Sequence, residues 1–214
     1  MKPIIIKPTD NIDILVEFLK EGRLVAFPTE TVYGLGVNAL NRDGIERIYE
    51  IKGRDREKAL SLHIGTIKNL ENYIEMTPFI LKIILQLLPG PINIIVKKKD
   101  TIPRWIGKGD TIGIRFPSLQ ITQRLLRYAE VPIVATSANI SGGTEPRSSR
   151  DVIEMLGNRI DGILDGGVVP IGKPSTVVNI SSGNIEVLRE GPVDRKTIEA
   201  IIKEIYMRED MEVK

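Results

Sequence analysis

The chain has no cysteine and a single histidine in 214 residues. Without cysteine there is no disulfide framework, thiolate zinc site, iron–sulfur cluster or cysteine nucleophile. One imidazole cannot form a two-histidine metal motif, and it leaves His63 as the sole candidate base for a Ser-His-Asp triad. A strong charge of either sign is also missing. Lys and Arg number 30 against 28 Asp and Glu, a formal net charge of +2. That balance argues against a bulk nucleic-acid binder but leaves room for a local basic patch. Apolar runs such as Ile83 to Leu88 fall far short of the ~20 residues needed to cross a bilayer. The start, MKPIIIKPTD, reads as a strand rather than a signal peptide. The expectation is a soluble, cytoplasmic protein with no membrane contact. Its chemistry must rest on Lys, Arg, Ser, Thr, carboxylates and backbone amides.

What is present is an alternation of short apolar strands and amphipathic helices. Strands are expected at Lys2 to Ile6, Leu24 to Phe27, Leu60 to Ile64, Asn93 to Val96, Thr111 to Phe116, Ile133 to Thr136, Gly162 to Leu164, Thr176 to Ile180 and Ile185 to Leu188. The first helix carries Ile12, Leu15, Val16 and Leu19 at i, i+3, i+4, i+7, with Thr9 or Asp10 as its cap and Gly22 as its stop. Further helices are expected at Arg42 to Ile51, Pro78 to Leu88, Gln120 to Ala129, Asp151 to Leu156 and Asp194 to Met207. No repeat or flexible linker divides the chain, so residues 1–207 read as one domain and residues 208–214 as a frayed tail. The fold class is α/β, and strands that follow one another without a helix make the open sheet mixed.

Three nucleotide signatures fail. Gly34-Leu35-Gly36 opens like a dinucleotide fingerprint, but Ala39 takes the third-glycine place. Gly172-Lys173 is followed by Pro174, so there is no P-loop. The Ser141-Gly142-Gly143 loop lacks the Asp-Ser pair of ATP pyrophosphatases. The segment Phe27 to Gly36 fits two readings equally: a ligand loop rich in Thr and Gly, or a capped turn into a short helix.

The basic loop Lys52-Gly53-Arg54-Asp55-Arg56-Glu57-Lys58 is either a solvated charged turn or a clamp for polyphosphate. The strand after it sharpens the choice toward a site. Period two puts Ser61 and His63 on the face opposite Leu60, Leu62 and Ile64. Thr111, Gly113 and Arg115 form a second such row, with Gly113 expected to leave open space for a ligand. Ala135-Thr136-Ser137-Ala138-Asn139, Ser175-Thr176 and Arg189 add small polar groups near strand ends. Together they make one sheet face of hydroxyls, arginines and a histidine. That inventory suits polyphosphate beside a small polar ligand, with catalysis by positioning and charge neutralisation rather than by a nucleophile.

PTETVYGLG (28–36), KGRDREKALSLHI (52–64), TIGIRFP (111–117), ATSANISG (135–142) and KPSTVVNI (173–180), in this order, resemble the YrdC-like family. Its best-known members are L-threonylcarbamoyl-AMP synthases of the tRNA t6A pathway. The resemblance covers about Ile12 to Gly191 and is closer to the single-domain branch than to the branch with a C-terminal extension. It implies a twisted open sheet with a large concave cavity on one face. The implied reaction joins L-threonine, bicarbonate and ATP, with Mg2+, into threonylcarbamoyl-AMP and pyrophosphate. It places Thr31, His63, Arg115, Ala135 and Ser175 around threonine. Arg54, Lys58, Thr111, Ser137 and Arg189 would hold ATP, and Lys52 would face the phosphates beside Arg54 and Lys58 as catalytic cations. Mg2+ would arrive on ATP with no protein ligands of its own. Asp55, Ala59, Asn93, Arg147 and Asn179 depart from the family's usual residues. Further expected partners are tRNA or double-stranded RNA and the downstream t6A transfer machinery. Two alternatives stand beside this reading: an RNA-binding module using the basic loop and Lys97 to Lys99, and a related carbamoyl-adenylate-forming enzyme with another acceptor.

Overall fold

The computed structural model describes residues 2–68 and 70–212, with side chains through Met207. In chain order the elements are β1 (Ile4–Ile6), α1 (Asp13–Lys20), β2 (Val25–Phe27), β3 (Gly34–Asn38), α2 (Arg42–Lys52), β4 (Ser61–His63), α3 (Pro78–Leu87) and β5 (Ile92–Lys97). They continue with β6 (Thr111–Arg115), α4 (Gln120–Ala129), β7 (Ile133–Ser137), α5 (Ser149–Leu156), β8 (Gly162–Leu164), β9 (Thr176–Asn179), β10 (Glu186–Arg189) and α6 (Arg195–Glu212). The fold is α/β. All ten strands form one open mixed sheet in the order β1-β8-β2-β3-β7-β4-β6-β5-β9-β10. Four pairs are parallel (β1/β8, β2/β8, β4/β6, β5/β9) and five antiparallel (β2/β3, β3/β7, β4/β7, β5/β6, β9/β10).

Alternation along the strands sorts side chains to two faces. On one face Leu35, Leu62, Ile94, Ile114, Val134 and Val178 pack under helices α2, α3, α5 and α6. On the other, Val25, Phe27, Ile133, Ala135 and Leu164 pack under α1 and α4. Those two helices cover only the β8-β2-β3-β7 half. Ser61 pairs with Ala135, His63 with Ile133 and Arg115 with His63, so these polar residues continue the same face beyond the helices.

The clearest departure from expectation is β3. Gly34-Leu35-Gly36 is neither a turn nor a short helix but a central strand, paired with β2 and β7. The reason is the Phe27 ring of β2. A Cβ on Gly34 or Gly36 would lie 3.0 or 2.7 Å from it, so only glycine lets the ring lie flat on the neighbouring strand. The cap of α1 also differs: Asp10 accepts from the Lys7 backbone, while Asn11 accepts from Asp13 N. Helix α5 starts at Ser149 because Ser148 and Asp151 form a capping box. Helix α6 runs to Glu212, past the Met207 at which its pattern ended, and the last two positions of the expected tail lie outside the described residues.

Candidate active site

A cavity of about 510 Å3 opens on the uncovered half of the sheet face. Thr31, Arg54, Lys58, His63, Thr111, Arg115, Ala135, Ser137, Ser175 and Arg189 all line it. They come from loops and strands spread over most of the sequence, and sheet pairing brings them together.

Helix α2 delivers the basic loop. Asn41 caps its start by accepting from Gly44 N at 2.8 Å, and Gly53 ends it at φ +58°. That left-handed turn aims Arg54 at the cavity, where no other residue type adopts the angle so cheaply. Arg54 Nε donates to Lys58 O at 2.8 Å and Nη2 to Ala59 O at 3.1 Å. Arg189 Nε and Nη2 both donate to Ser175 O, at 3.1 and 2.8 Å. Backbone carbonyls thus hold both guanidinium planes in place. Partial burial pushes Arg54 down from its ordinary value, but arginine keeps its charge at any physiological pH.

Lys52 sits apart from the other expected site residues. It does not line the cavity and is 1% exposed. Its Nζ donates to Ser137 O at 2.6 Å, to Asn139 O and to Asn139 Oδ1 at 3.2 Å. Ser141 N returns a bond to Lys52 O at 2.9 Å. Asn139 in turn accepts from Ser137 Oγ at 2.7 Å and donates to Gly143 O and Thr144 O. Lys52 therefore ties the loop after β7 to α2, next to the cavity-lining Ser137. A polar side chain at a helix end beside a basic loop gives no sequence signal that separates such a tie from a phosphate contact. Burial pushes its ammonium down to about 7, Arg54 adding to the effect and Glu145 opposing it.

At the other end of the cavity, Arg115 donates to Glu30, to Thr31 Oγ1 at 3.3 Å and to Ile92 O at 3.3 Å. Glu30 also accepts from Ser118 N at 2.8 Å. The Arg115 and Glu30 side chains are 3% and 7% exposed. Glu30 was not singled out from the sequence, because a carboxylate inside a Thr-rich loop has no period that assigns its partner. His63 Nδ1 lies 3.0 Å from Ser61 O. A carbonyl only accepts, so Nδ1 carries the proton and Nε2 is the bare nitrogen. Burial pushes His63 down to about 4, the Ser61 bond opposing and Arg115 adding to it, so the ring is neutral near pH 7. The Phe27 ring meets it edge-on at 5.9 Å. Thr29 Oγ1 lies 2.8 Å from Thr31 Oγ1 and donates to Val32 O at 2.7 Å, which shapes the loop before β3.

Gly113 lines the cavity, as expected. A Cβ there would lie 2.8 Å from the Asn93 side chain and 2.9 Å from Ser61 Oγ. Glycine therefore also admits these two neighbours, which line the cavity with it. Asn93 and Glu145 line the cavity as well, and Asn93 Oδ1 and Glu145 Oε2 are buried without a partner among the described residues. Burial raises Glu145 above the usual carboxylate range. Asn179 caps a turn by accepting from Ser181, and Arg147 is exposed beside Gly172; neither lines the cavity. Within the lysine run, Lys98 is 6% exposed and donates to Pro103 O and Ile106 O, which removes one cation from an RNA-binding face. No helix among the described residues is long and apolar enough to cross a membrane.

The Sua5/YciO/YrdC family, described as telomere recombination, matches residues 17–191. A threonylcarbamoyl-AMP synthase of Pyrococcus abyssi is 40% identical over 197 residues, covering 91% of this chain and 58% of the relative. One of Bacillus subtilis is 40% identical over 192 residues, covering 88% and 56%. The chain thus spans little more than half the length of these relatives. The crystal structure of P. abyssi Sua5 complexed with L-threonine superposes with a TM-score of 0.86 at 38% identity, over 93% of this chain and 60% of that one. Motifs, sheet and relatives agree: the chain belongs to the Sua5/YciO/YrdC family.

Proposed function

We propose that this protein makes L-threonylcarbamoyl-AMP from L-threonine, bicarbonate and ATP, releasing pyrophosphate, and so supplies the group used for t6A in tRNA. The observation that carries the reading is the two-ended cavity. A neutral histidine and a pre-oriented arginine line one end, Arg54 and Lys58 line the other, and Arg189 is near enough to both Arg115 and Arg54 to act on their charges. The relatives of P. abyssi and B. subtilis bear the name of this activity, and the P. abyssi structure holds L-threonine.

In this reading Arg115 meets the threonine carboxylate, with Thr31 and Ser175 beside it. Glu30 and Ile92 O already fix the guanidinium, so binding loses little rotamer freedom. His63 Nε2 accepts from the amine or hydroxyl. Bicarbonate gives carbon dioxide by losing hydroxide; the neutral amine adds to the carbon and gives its proton to that hydroxide, so a carbamate forms and water leaves. A carbamate oxygen then attacks the α-phosphorus of ATP; that P–O bond forms as the bond to the β-phosphate oxygen breaks and pyrophosphate leaves. Arg54, Lys58 and Arg189 stabilise charge on the phosphate oxygens as the bond breaks, with Thr111 and Ser137 orienting the nucleotide. Glu145 is the only carboxylate lining the cavity among the described residues. This fits Mg2+ held chiefly by phosphate oxygens rather than by a protein cage. When bound, the ion would add its charge to that of the cations. Labelled bicarbonate tests the proposal: the label should appear in a threonine-dependent adenylate. Label in an adenylate formed equally with serine or glycine would favour another acceptor.

A further inference from the structure

We propose that Lys108 is an additional phosphate-binding cation of this cavity, held by Glu57 until a polyphosphate takes its place. The inference rests on the reading above that the cavity receives ATP. Lys108 lines the cavity, whereas Glu57 does not. Lys108 Nζ lies 3.0 Å from Glu57 Oε2, with the side chains 62% and 77% exposed. Glu57 belongs to the basic loop after α2, and Lys108 to the connection from β5 to β6. The pair therefore bridges two separate loops at the mouth.

The backbone of Lys108 is fixed while its side chain is not. Lys108 N donates to Thr111 O at 2.9 Å, Thr111 N donates to Lys108 O at 3.0 Å, and Thr111 Oγ1 donates to Lys108 O at 2.9 Å. This turn places Lys108 beside Thr111, at the end of the cavity assigned to the nucleotide. Apart from Lys58, the other cations are more constrained. Arg54 and Arg189 each spend two N–H groups on carbonyls, Arg115 is paired with Glu30, and Lys52 is tied behind Ser137. Lys58 and Lys108 are the exposed ammonium groups on the lining.

An exposed lysine–carboxylate pair is weak, because water screens it and two long side chains must be held still. Several phosphate oxygens partly enclosed beside Arg54 and Lys58 offer Lys108 more negative charge than one exposed carboxylate. Exchange of partner follows, and it lets Lys108 neutralise phosphate charge while keeping a partner before phosphate binds. Glu57 acts only by occupying Lys108, which makes the two residues thermodynamically coupled.

Calorimetric titration of wild type, Lys108→Ala, Glu57→Gln and the double variant tests this, with inorganic tripolyphosphate, ATP and L-threonine as separate probes. Lys108→Ala should weaken both phosphate probes about tenfold, the loss of one charge-assisted contact. Glu57→Gln should strengthen them about twofold to threefold, since a weak competitor is removed. The double variant should match Lys108→Ala alone, and threonine affinity should not change. Unchanged phosphate binding in Lys108→Ala overturns the proposal while leaving the ATP reading in place. So does a Glu57→Gln gain that persists with alanine at 108. If tripolyphosphate follows the expected cycle but ATP does not bind, Lys108 keeps its assignment and the nucleotide reading fails. If wild type binds neither phosphate probe, both fail.

Discussion

The Arg115 guanidinium donates to the Glu30 carboxylate, joining β6 to the loop before β3 in a place that water barely reaches. Removing one partner of a buried pair strands the other charge, at a cost of about 3–5 kcal/mol. Glu30→Ala should lose roughly that much in urea unfolding and should weaken threonine binding, because Arg115 is no longer oriented. A loss under about 0.5 kcal/mol would show that Arg115 finds other compensation.

Lys52→Met separates a structural tie from a phosphate contact. The ammonium bonds to the carbonyls of Ser137 and Asn139. Its removal leaves those oxygens buried and unpaired, at about 1–3 kcal/mol for each such group. The variant should be less stable, and the amides of residues 138–145 should exchange faster with deuterium. A normally stable variant with weakened ATP affinity would instead return Lys52 to the phosphates.

Arg54→Ala should weaken ATP binding more than threonine binding, by about tenfold or more for the loss of a charge-assisted contact. Arg54 reaches the cavity end opposite Arg115, so threonine affinity serves as the internal control. Equal losses for the two ligands would contradict the division of the cavity.

Gly113→Ala should destabilise by about 1–3 kcal/mol through overpacking, since the new methyl meets Asn93 and Ser61 below 3.0 Å. Asn93→Ala should relieve much of that loss, giving a strongly non-additive pair in denaturation measurements. An additive pair would mean that the strain lies elsewhere.

Acid stability should carry the signature of His63. Its folded value of about 4 lies below the ordinary histidine value of about 6.5, so between these pH values the unfolded chain takes up a proton that the native chain refuses. Stability from this group is full above pH ~6.5 and falls as the pH drops toward ~4. The full span is worth about 3 kcal/mol, less where solvent at the mouth screens it. His63→Asn should flatten that part of the stability profile relative to wild type. Parallel profiles would show that His63 takes up its proton at an ordinary pH.

The strands that carry a clean period of two are legible in the sequence. Ser61 and His63, and likewise Thr111 and Arg115, lie together on one face because alternation alone assigns the face. Basic residues near a strand were harder to place. Lys52 and Arg54 are two positions apart, yet one is tied to the end of β7 and the loop after it and the other lines the cavity, since the left-handed Gly53 turns the chain between them. Gly34 and Gly36 looked like turn residues because their partner, Phe27, acts across strands and leaves no mark on local pattern. Glu30 and Lys108 were missed for the same reason: their partners, Arg115 and Glu57, lie far along the chain and are set by sheet order.

Pyrophosphate release from ATP tests the central claim most directly, measured with threonine and bicarbonate each present or withheld. The account predicts rapid release only when both are supplied, because the attacking oxygen belongs to a carbamate built from the two. Release that proceeds equally without threonine would contradict it.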